Sequence, residues 1–193
     1  MVRLTGLKKI KTAIFISGRG SNLNSLIKFS KFKNSPISIN LIVSNNLKAK
    51  GLKYSKIFKI KKKIINLKKK NQTEKDLLLN LKKDEIRLIC LAGFMKILSQ
   101  NFIKKFNGKI INIHPSLLPK YKGLNTHQRV IDNNEKYSGC TVHLVNSKLD
   151  SGKIILQKKI RVYKKDTVKS LSKKILVQEH LLYPAAIKKI FSY

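Results

Sequence analysis

Asn112-Ile113-His114-Pro115-Ser116-Leu117-Leu118-Pro119 closes an apolar run over residues 108–113, and its reading decides the fold. The run has the length and composition of a short buried strand. Two prolines four residues apart end it and stiffen the turn that follows. Side chains two apart on a strand share a face, so Asn112 and His114 project together. They do so at the strand's C-terminal end, where ligands bind in open α/β sheets. An amide beside an imidazole suits a reaction in which a carbonyl becomes tetrahedral. Asn can donate to the developing oxyanion, and His can donate or shuttle a proton. On the pair alone, an Asn in a turn beside a structural His is an equal reading.

Further along, Thr141-Val142-His143-Leu144-Val145-Asn146-Ser147-Lys148-Leu149-Asp150-Ser151-Gly152 alternates like a strand and then enters a polar loop. Asp150 is one of only nine acidic residues. A carboxylate there can return to His114, raise its pKa and fix its orientation. The plainer alternative is an Asp that makes the turn before Ser-Gly.

Towards the N-terminus, Ala13-Ile14-Phe15-Ile16-Ser17 reads as a buried parallel strand. It runs into Gly18-Arg19-Gly20-Ser21-Asn22-Leu23 and a helix to about Phe29. Strand, glycine turn and helix form a phosphate cradle: glycine lets backbone approach the anion, and the helix start offers free N–H groups and a positive dipole end. Ser21 and Asn22 add side-chain donors and can cap the helix. The third glycine of a dinucleotide fingerprint is missing, and no acid follows about twenty positions on, which argues for a monophosphate. An ordinary turn with a Ser cap is the bland alternative.

Between these stretches the sequence predicts strands at residues 36–44, 64–65 and 86–91, a short helix over 49–58, and a solvated loop over 68–72. A helix over 73–82 follows, with Glu74 and Asp76 in its first turn. Ala92-Gly93-Phe94-Met95-Lys96-Ile97-Leu98 gives an apolar wall beside exposed backbone, which suits a flat heterocycle as well as plain core packing. A helix over 128–133, strands over 138–145 and 153–162, and a last helix capped by Asp166 and Thr167 complete the chain.

Asn-Ile-His-Pro-Ser-Leu-Leu-Pro followed by Leu-Asp-Ser-Gly resembles the folate-dependent formyltransferase signature. Leu91-Ala92-Gly93-Phe94-Met95 resembles that superfamily's folate-site motif. The likeness runs over residues 13–184 and is strongest to the phosphoribosylglycinamide formyltransferases of purine (IMP) biosynthesis. It implies an α/β, Rossmann-like fold with an open, mostly parallel twisted sheet and helices on both faces. It implies one domain with a basic extension (1–11), a phosphate-binding half (13–91) and a folate-binding, catalytic half (92–193). It also implies a cytoplasmic enzyme, monomer or homodimer, that moves the formyl group of 10-formyltetrahydrofolate to the amine of phosphoribosylglycinamide.

On the same resemblance Gly20, Ser21 and Asn22 hold the substrate phosphate, and Gln178 and Glu179 contact the ribose. Met95, Lys96, Ile97, Leu98, Asn112, Asn146 and Asp150 hold the folate. Asn112 and a protonated His114 stabilise the oxyanion, Asp150 keeps His114 charged, and no metal takes part. The sequence departs from that pattern at Lys122 and Asn125, where the family commonly has Pro and His. It also lacks the folate-site Arg expected near residues 68–75.

The 193 residues carry a formal net charge of +34. A nucleic-acid binder is one explanation, since cations neutralise phosphates. Yet only Arg3, Arg19, Arg87, Arg129 and Arg161 among the 43 basic residues are arginine, there is no Trp, and the lysines are scattered. That is the pattern of solvated, compositionally drifted surface rather than of base readout, so no specific nucleic acid is expected. Cys90 and Cys140 have no metal-ligand spacing and form no disulfide framework. The apolar run after the basic N-terminus is too short for a signal or a membrane span. Three rivals remain. Formyltetrahydrofolate deformylase would add an N-terminal domain and has His at the place of Pro115. Methionyl-tRNA formyltransferase would add Arg-rich motifs and a C-terminal RNA-binding domain, for which no room is expected after Tyr193. The last rival is a non-enzymatic nucleic-acid binder built on the charge.

Overall fold

The computed structural model describes residues 8–191, so most of the basic extension lies outside the described residues. Seven strands form one sheet: β1 (Ile10–Ile16), β2 (Ile37–Ser44), β3 (Lys61–Ile64), β4 (Leu88–Leu91), β5 (Lys109–His114), β6 (Tyr137–Leu144) and β7 (Ile154–Arg161). Their spatial order is β3-β2-β1-β4-β5-β6-β7. The first five run parallel, and β6 and β7 add an antiparallel edge. Six helices connect them: α1 (Ser21–Ser30), α2 (Lys53–Ile57), α3 (Lys70–Lys83), α4 (Gln100–Lys105), α5 (Thr126–Asp132) and α6 (Val168–Phe191). The expected open, mostly parallel α/β sheet is the fold observed.

The central strands are apolar on both faces because both are covered. One apolar cluster includes Ile14, Leu23, Ile42, Ile111, Ile175 and Tyr183; the other includes Phe15, Val43, Leu77, Ile89 and Phe102. The edges are different. β3 carries Lys61, Lys62 and Lys63, and β7 carries Lys158 and Lys159. Lysine on an edge strand discourages pairing with another chain, so part of the charge has a structural use. Cys90 and Cys140 are free, buried thiols; burial pushes Cys140 up to about 12.

Two local expectations fail. Residues 68–72 are not a loop: Leu67–Lys69 form a 3-10 turn and α3 starts at Lys70. The Asn66 side chain accepts from Lys68 N and so starts that turn. Glu74 therefore sits inside the helix rather than in its first turn, is buried, and accepts from Ser99 N at 2.9 Å. The acid thus links α3 to the start of α4, a helix the sequence reading missed, instead of serving the α3 dipole.

The chain order reverses between β1 and β4, which opens a crevice at their C-terminal ends. Tyr183 on α6 closes the sheet beneath it. Its buried hydroxyl reaches the carbonyls of Leu91 (3.0 Å) and Ile111 (3.1 Å), one at the end of β4 and one in β5 just before Asn112.

Candidate active site

The crevice is a single cleft of about 1170 Å³. It is lined by the turns after β1, β4 and β5, the start of α5, the loop after β6, and one face of α6. At one end Gly20 precedes α1 in a left-handed conformation (φ 75°). Among the described residues no side chain caps this helix, contrary to the expected role of Ser21 or Asn22, and its first-turn N–H groups face the cleft end without a side-chain acceptor. A Cβ on Gly20 would lie 2.7 Å from Gly51 Cα, and Gly51 N donates to Gly18 O at 3.0 Å. Two backbones meet there, which only glycine allows.

Asn22 does not point its amide hydrogens at an incoming phosphate. Its Nδ2 donates to Glu179 Oε2 at 2.7 Å, and its buried Oδ1 has no hydrogen-bond partner among the described residues. Burial raises Glu179 to about 7, although the Asn22 bond opposes the shift. Val168, Ser172, Leu176 and Glu179 recur at helical spacing on the cleft face of α6. Gln178 is off that face and does not line the cleft, so the structure brings only Glu179 of the expected pair to the site.

The middle of the cleft has the apolar wall expected of residues 95–98. Met95 and Ile97 are 62% and 64% exposed, whereas Leu98 belongs to the core. Leu124 and Leu149, from two other loops, expose further apolar surface to the same space. Among the described residues, none of 68–75 lines the cleft. Asn146 lines it, and its Oδ1 accepts from Lys148 N to make a turn.

At the far end β5 presents Asn112 and His114, and antiparallel pairing sets Asn112 opposite His143 and His114 opposite Thr141. Thr141 is buried and fixes the octapeptide: its Oγ1 donates to Ser116 O and accepts from Leu118 N. Asp150 returns as expected. Its Oδ2 is 3.4 Å from His114 Nδ1, its Oδ1 is 3.6 Å from His143 Nε2 and 3.4 Å from Asn112 Nδ2, and Gly123 N donates to Oδ2 at 2.8 Å. Asn112 Nδ2 also lies 3.2 Å from His143 Nε2. His143 was not singled out from the sequence; its place two residues from Thr141 on an alternating strand was the available signal.

The carboxyl of Asp150 is pushed up by burial. The His143 contact, the Gly123 N–H and the two imidazoles outweigh that, so it stays below the usual carboxylate range. For His114 the balance is reversed. Burial pushes it below its ordinary value more than the Tyr121 carbonyl and Asp150 push it up. Asp150 acts in the expected direction, but the expected net rise is corrected to a fall: taking the ring out of water costs the imidazolium more than one carboxylate at 3.4 Å returns.

His114 Nε2 donates to Tyr121 O at 2.8 Å. That fixes one proton on Nε2 and turns Nδ1 towards Asp150. Among the described residues no group of three or more His, Cys, Asp or Glu side chains could hold a metal ion, and no helix is long and apolar enough to cross a membrane.

A cleft with a bare helix N-terminus at one end, an apolar slot in the middle and an Asn–His–Asp cluster at the other has clear relatives. The formyl transferase family matches residues 10–187. The trifunctional purine biosynthetic protein adenosine-3 of Homo sapiens is 43% identical over 96% of this chain, which spans only 19% of that protein. The phosphoribosylglycinamide formyltransferase of Haemophilus influenzae is 40% identical over 92% of this chain and 85% of its own length. The crystal structure of phosphoribosylglycinamide formyltransferase from Brucella melitensis superposes with a TM-score of 0.91 at 39% identity, covering 96% of this chain and 97% of that one. On sequence, fold and cleft alike, the chain belongs to the formyl transferase family.

Proposed function

We propose that this enzyme transfers the formyl group of 10-formyltetrahydrofolate to the primary amine of phosphoribosylglycinamide. The observation that carries the reading is the convergence of Asn112, His114 and Asp150 within 3.4 Å contacts, in the same cleft as the uncapped N-terminus of α1. Like-named relatives covering nearly the whole chain support the same substrates.

In this proposal the phosphate is held by N–H groups of Gly20, Ser21 and Asn22, and Glu179 faces the ribose. Residues 13–91 thus supply the phosphate turn, and α6 completes the nucleotide end. The slot of Met95, Lys96, Ile97 and Leu98, with Asn146, fits a flat folate ring, whose formyl carbon is the electrophile. The substrate amine forms the new C–N bond at that carbon. Nδ1 of the neutral His114 ring takes the proton that the attacking amine must lose, and the imidazolium N–H so formed donates, with Asn112 Nδ2, to the oxygen that becomes negative. His114 then gives a proton to the departing folate nitrogen as the old C–N bond breaks. Asp150 keeps Nδ1 pointed at the reacting atoms.

The bonds that Asn112 and His114 make in the cluster are long, so a short bond to an oxyanion can replace them. Catalytic hydrogen bonds commonly tighten only once substrate is present.

The test is a folate-release assay with 10-formyltetrahydrofolate, run with and without phosphoribosylglycinamide. Release that requires the nucleotide is the expected result. Release without it would make the chain a deformylase and overturn the transferase reading.

A further inference from the structure

The carbonyl that fixes His114 belongs to a segment that regular secondary structure does not hold. Residues 120–125 lie between the octapeptide and α5, and Tyr121 adopts a left-handed conformation (φ 55°). Yet Tyr121 O must stay 2.8 Å from Nε2 if the His114 proton is to remain on that nitrogen. The anchors of this segment are few. Ser116 Oγ donates to Lys120 O, and Arg129 donates to Lys122 O and lies over the Tyr121 ring at 5.1 Å. Two of the remaining anchors end on one oxygen: the Tyr121 hydroxyl and Lys120 Nζ each donate to Glu135 Oε1 at 2.8 Å.

Glu135 follows α5 and does not line the cleft; its N–H is tied to Val130 O. The Lys120 bond first, then the Tyr121 bond, hold its carboxyl below the ordinary range, so it is an anion at neutral pH. All nine acids of this strongly cationic chain accept a hydrogen bond or an ion pair. Two of them reach the loop that carries Tyr121: Asp150, which lines the cleft, at Gly123 N, and Glu135, which does not line it, at the Tyr121 hydroxyl and Lys120.

We propose that Glu135 is a positioning residue for His114, acting through Tyr121. By holding the phenol it keeps the Tyr121 carbonyl on Nε2, which leaves Nδ1 as the reacting nitrogen. An exposed ion pair with no such role would contribute little, typically about 0–1 kcal/mol of stability and nothing at the imidazole. The groups facing His114 are Asp150 from the loop after β6, His143 from β6, and Arg129 and His127 from α5. None of them touches Glu135 in the described contacts.

The test uses the ring nitrogens of His114 in ¹⁵N-labelled, ligand-free protein, identified among the four histidines by their loss in His114→Ala. The expected wild-type signal is a neutral ring protonated on Nε2. Tyr121→Phe and Glu135→Ala should each give a mixed tautomer and a lower imidazole pKa, because the carbonyl bond that raises it loosens. Glu135→Gln, which keeps an oxygen for the phenol, should retain most of the wild-type signal. The double variant should be no worse than either single one, since both break one chain of contacts.

The kinetic counterpart rests on the formyl-transfer reading: a fall in kcat of about 3- to 10-fold, the worth of one hydrogen bond, with KM unchanged. Ring nitrogens that titrate as in wild type in folded Tyr121→Phe and Glu135→Ala would overturn the proposal. That readout needs no substrate, so its failure is separate from any failure of the transferase assay.

Discussion

The two ends of the cleft are built on opposite plans. Around Gly20 everything is backbone and close contact: an uncapped helix start, a glycine at positive φ, and a second glycine whose N–H is spent on Gly18. Around His114 the side chains stand in loose contact with one another, with Asn112, His114, His143 and Asp150 separated by 3.2 to 3.6 Å, while backbone holds the cluster at 2.8 Å through Tyr121 O and Gly123 N. Under the proposed function the difference follows from what each end would hold. A phosphate is charged before, during and after reaction, so donors fixed in advance serve it throughout. An oxyanion exists only part-way through, so its donors must be near yet not already committed to short bonds elsewhere.

The sharpest break between the ends is predicted for His114→Ala. It removes one donor to the oxyanion and the proton carrier together, so kcat should fall by at least roughly 10²–10³-fold, the usual worth of one oxyanion donor. The KM for the nucleotide should hardly move, because the phosphate end is untouched. A variant that kept most of its turnover, or lost affinity instead of rate, would remove His114 from the chemistry.

Gly20→Ala probes the other end and should give the reverse pattern. The new Cβ would meet Gly51 Cα at 2.7 Å and force a non-glycine residue into positive φ. Such strain costs on the order of 1–3 kcal/mol. The turn has to open to relieve it, which pulls the N–H groups off the phosphate. The expected outcome is a KM for the nucleotide raised about 10-fold or more, near 1.4 kcal/mol of binding, with kcat at saturation nearly kept. An equal loss in kcat would mean the two ends are coupled and the comparison is too simple.

The sequence carried the two ends unequally. The octapeptide announced the reacting end because proline spacing and strand alternation are local signals, and they placed Asn112 and His114 on one face. The net shift of His114 was not legible, since it depends on how much water the surrounding loops exclude. His143 was hidden in plain sight: only the antiparallel register that sets it opposite Asn112 gives it meaning. At the other end the glycines were read as backbone access, and Gly20 stands at positive φ before a helix with no side-chain cap. The partnership of Asn22 with Glu179, 157 positions apart, belongs to tertiary structure alone. The start of α3 was missed because a run of lysines reads as loop, whereas Asn66 starts a 3-10 turn there and Glu74 buries itself against α4.

That partnership supplies a last test, of stability rather than of turnover, of how rigid the Gly20 end is. Burial raises Glu179 from 4.5 in the unfolded chain to about 7 in the folded one. The folded protein therefore holds a proton that the unfolded chain has released, and stability must fall as pH rises from about 4.5 to about 7. The slope from one such group cannot exceed about 1.4 kcal/mol per pH unit. His114, His127 and His180 are all shifted down by burial first, and they work the other way: the unfolded chain binds their protons more readily, so they add stability as pH rises. The wild-type profile alone is therefore ambiguous. The difference between wild type and Glu179→Gln, from urea unfolding at pH 5, 6 and 7, isolates the carboxyl. The variant should gain on the wild type steadily across that window, with no further gain well above pH 7. A difference independent of pH would mean that Glu179 ionises normally against Asn22. The phosphate end would then be open to water, not the preformed backbone cradle set here against the looser catalytic end.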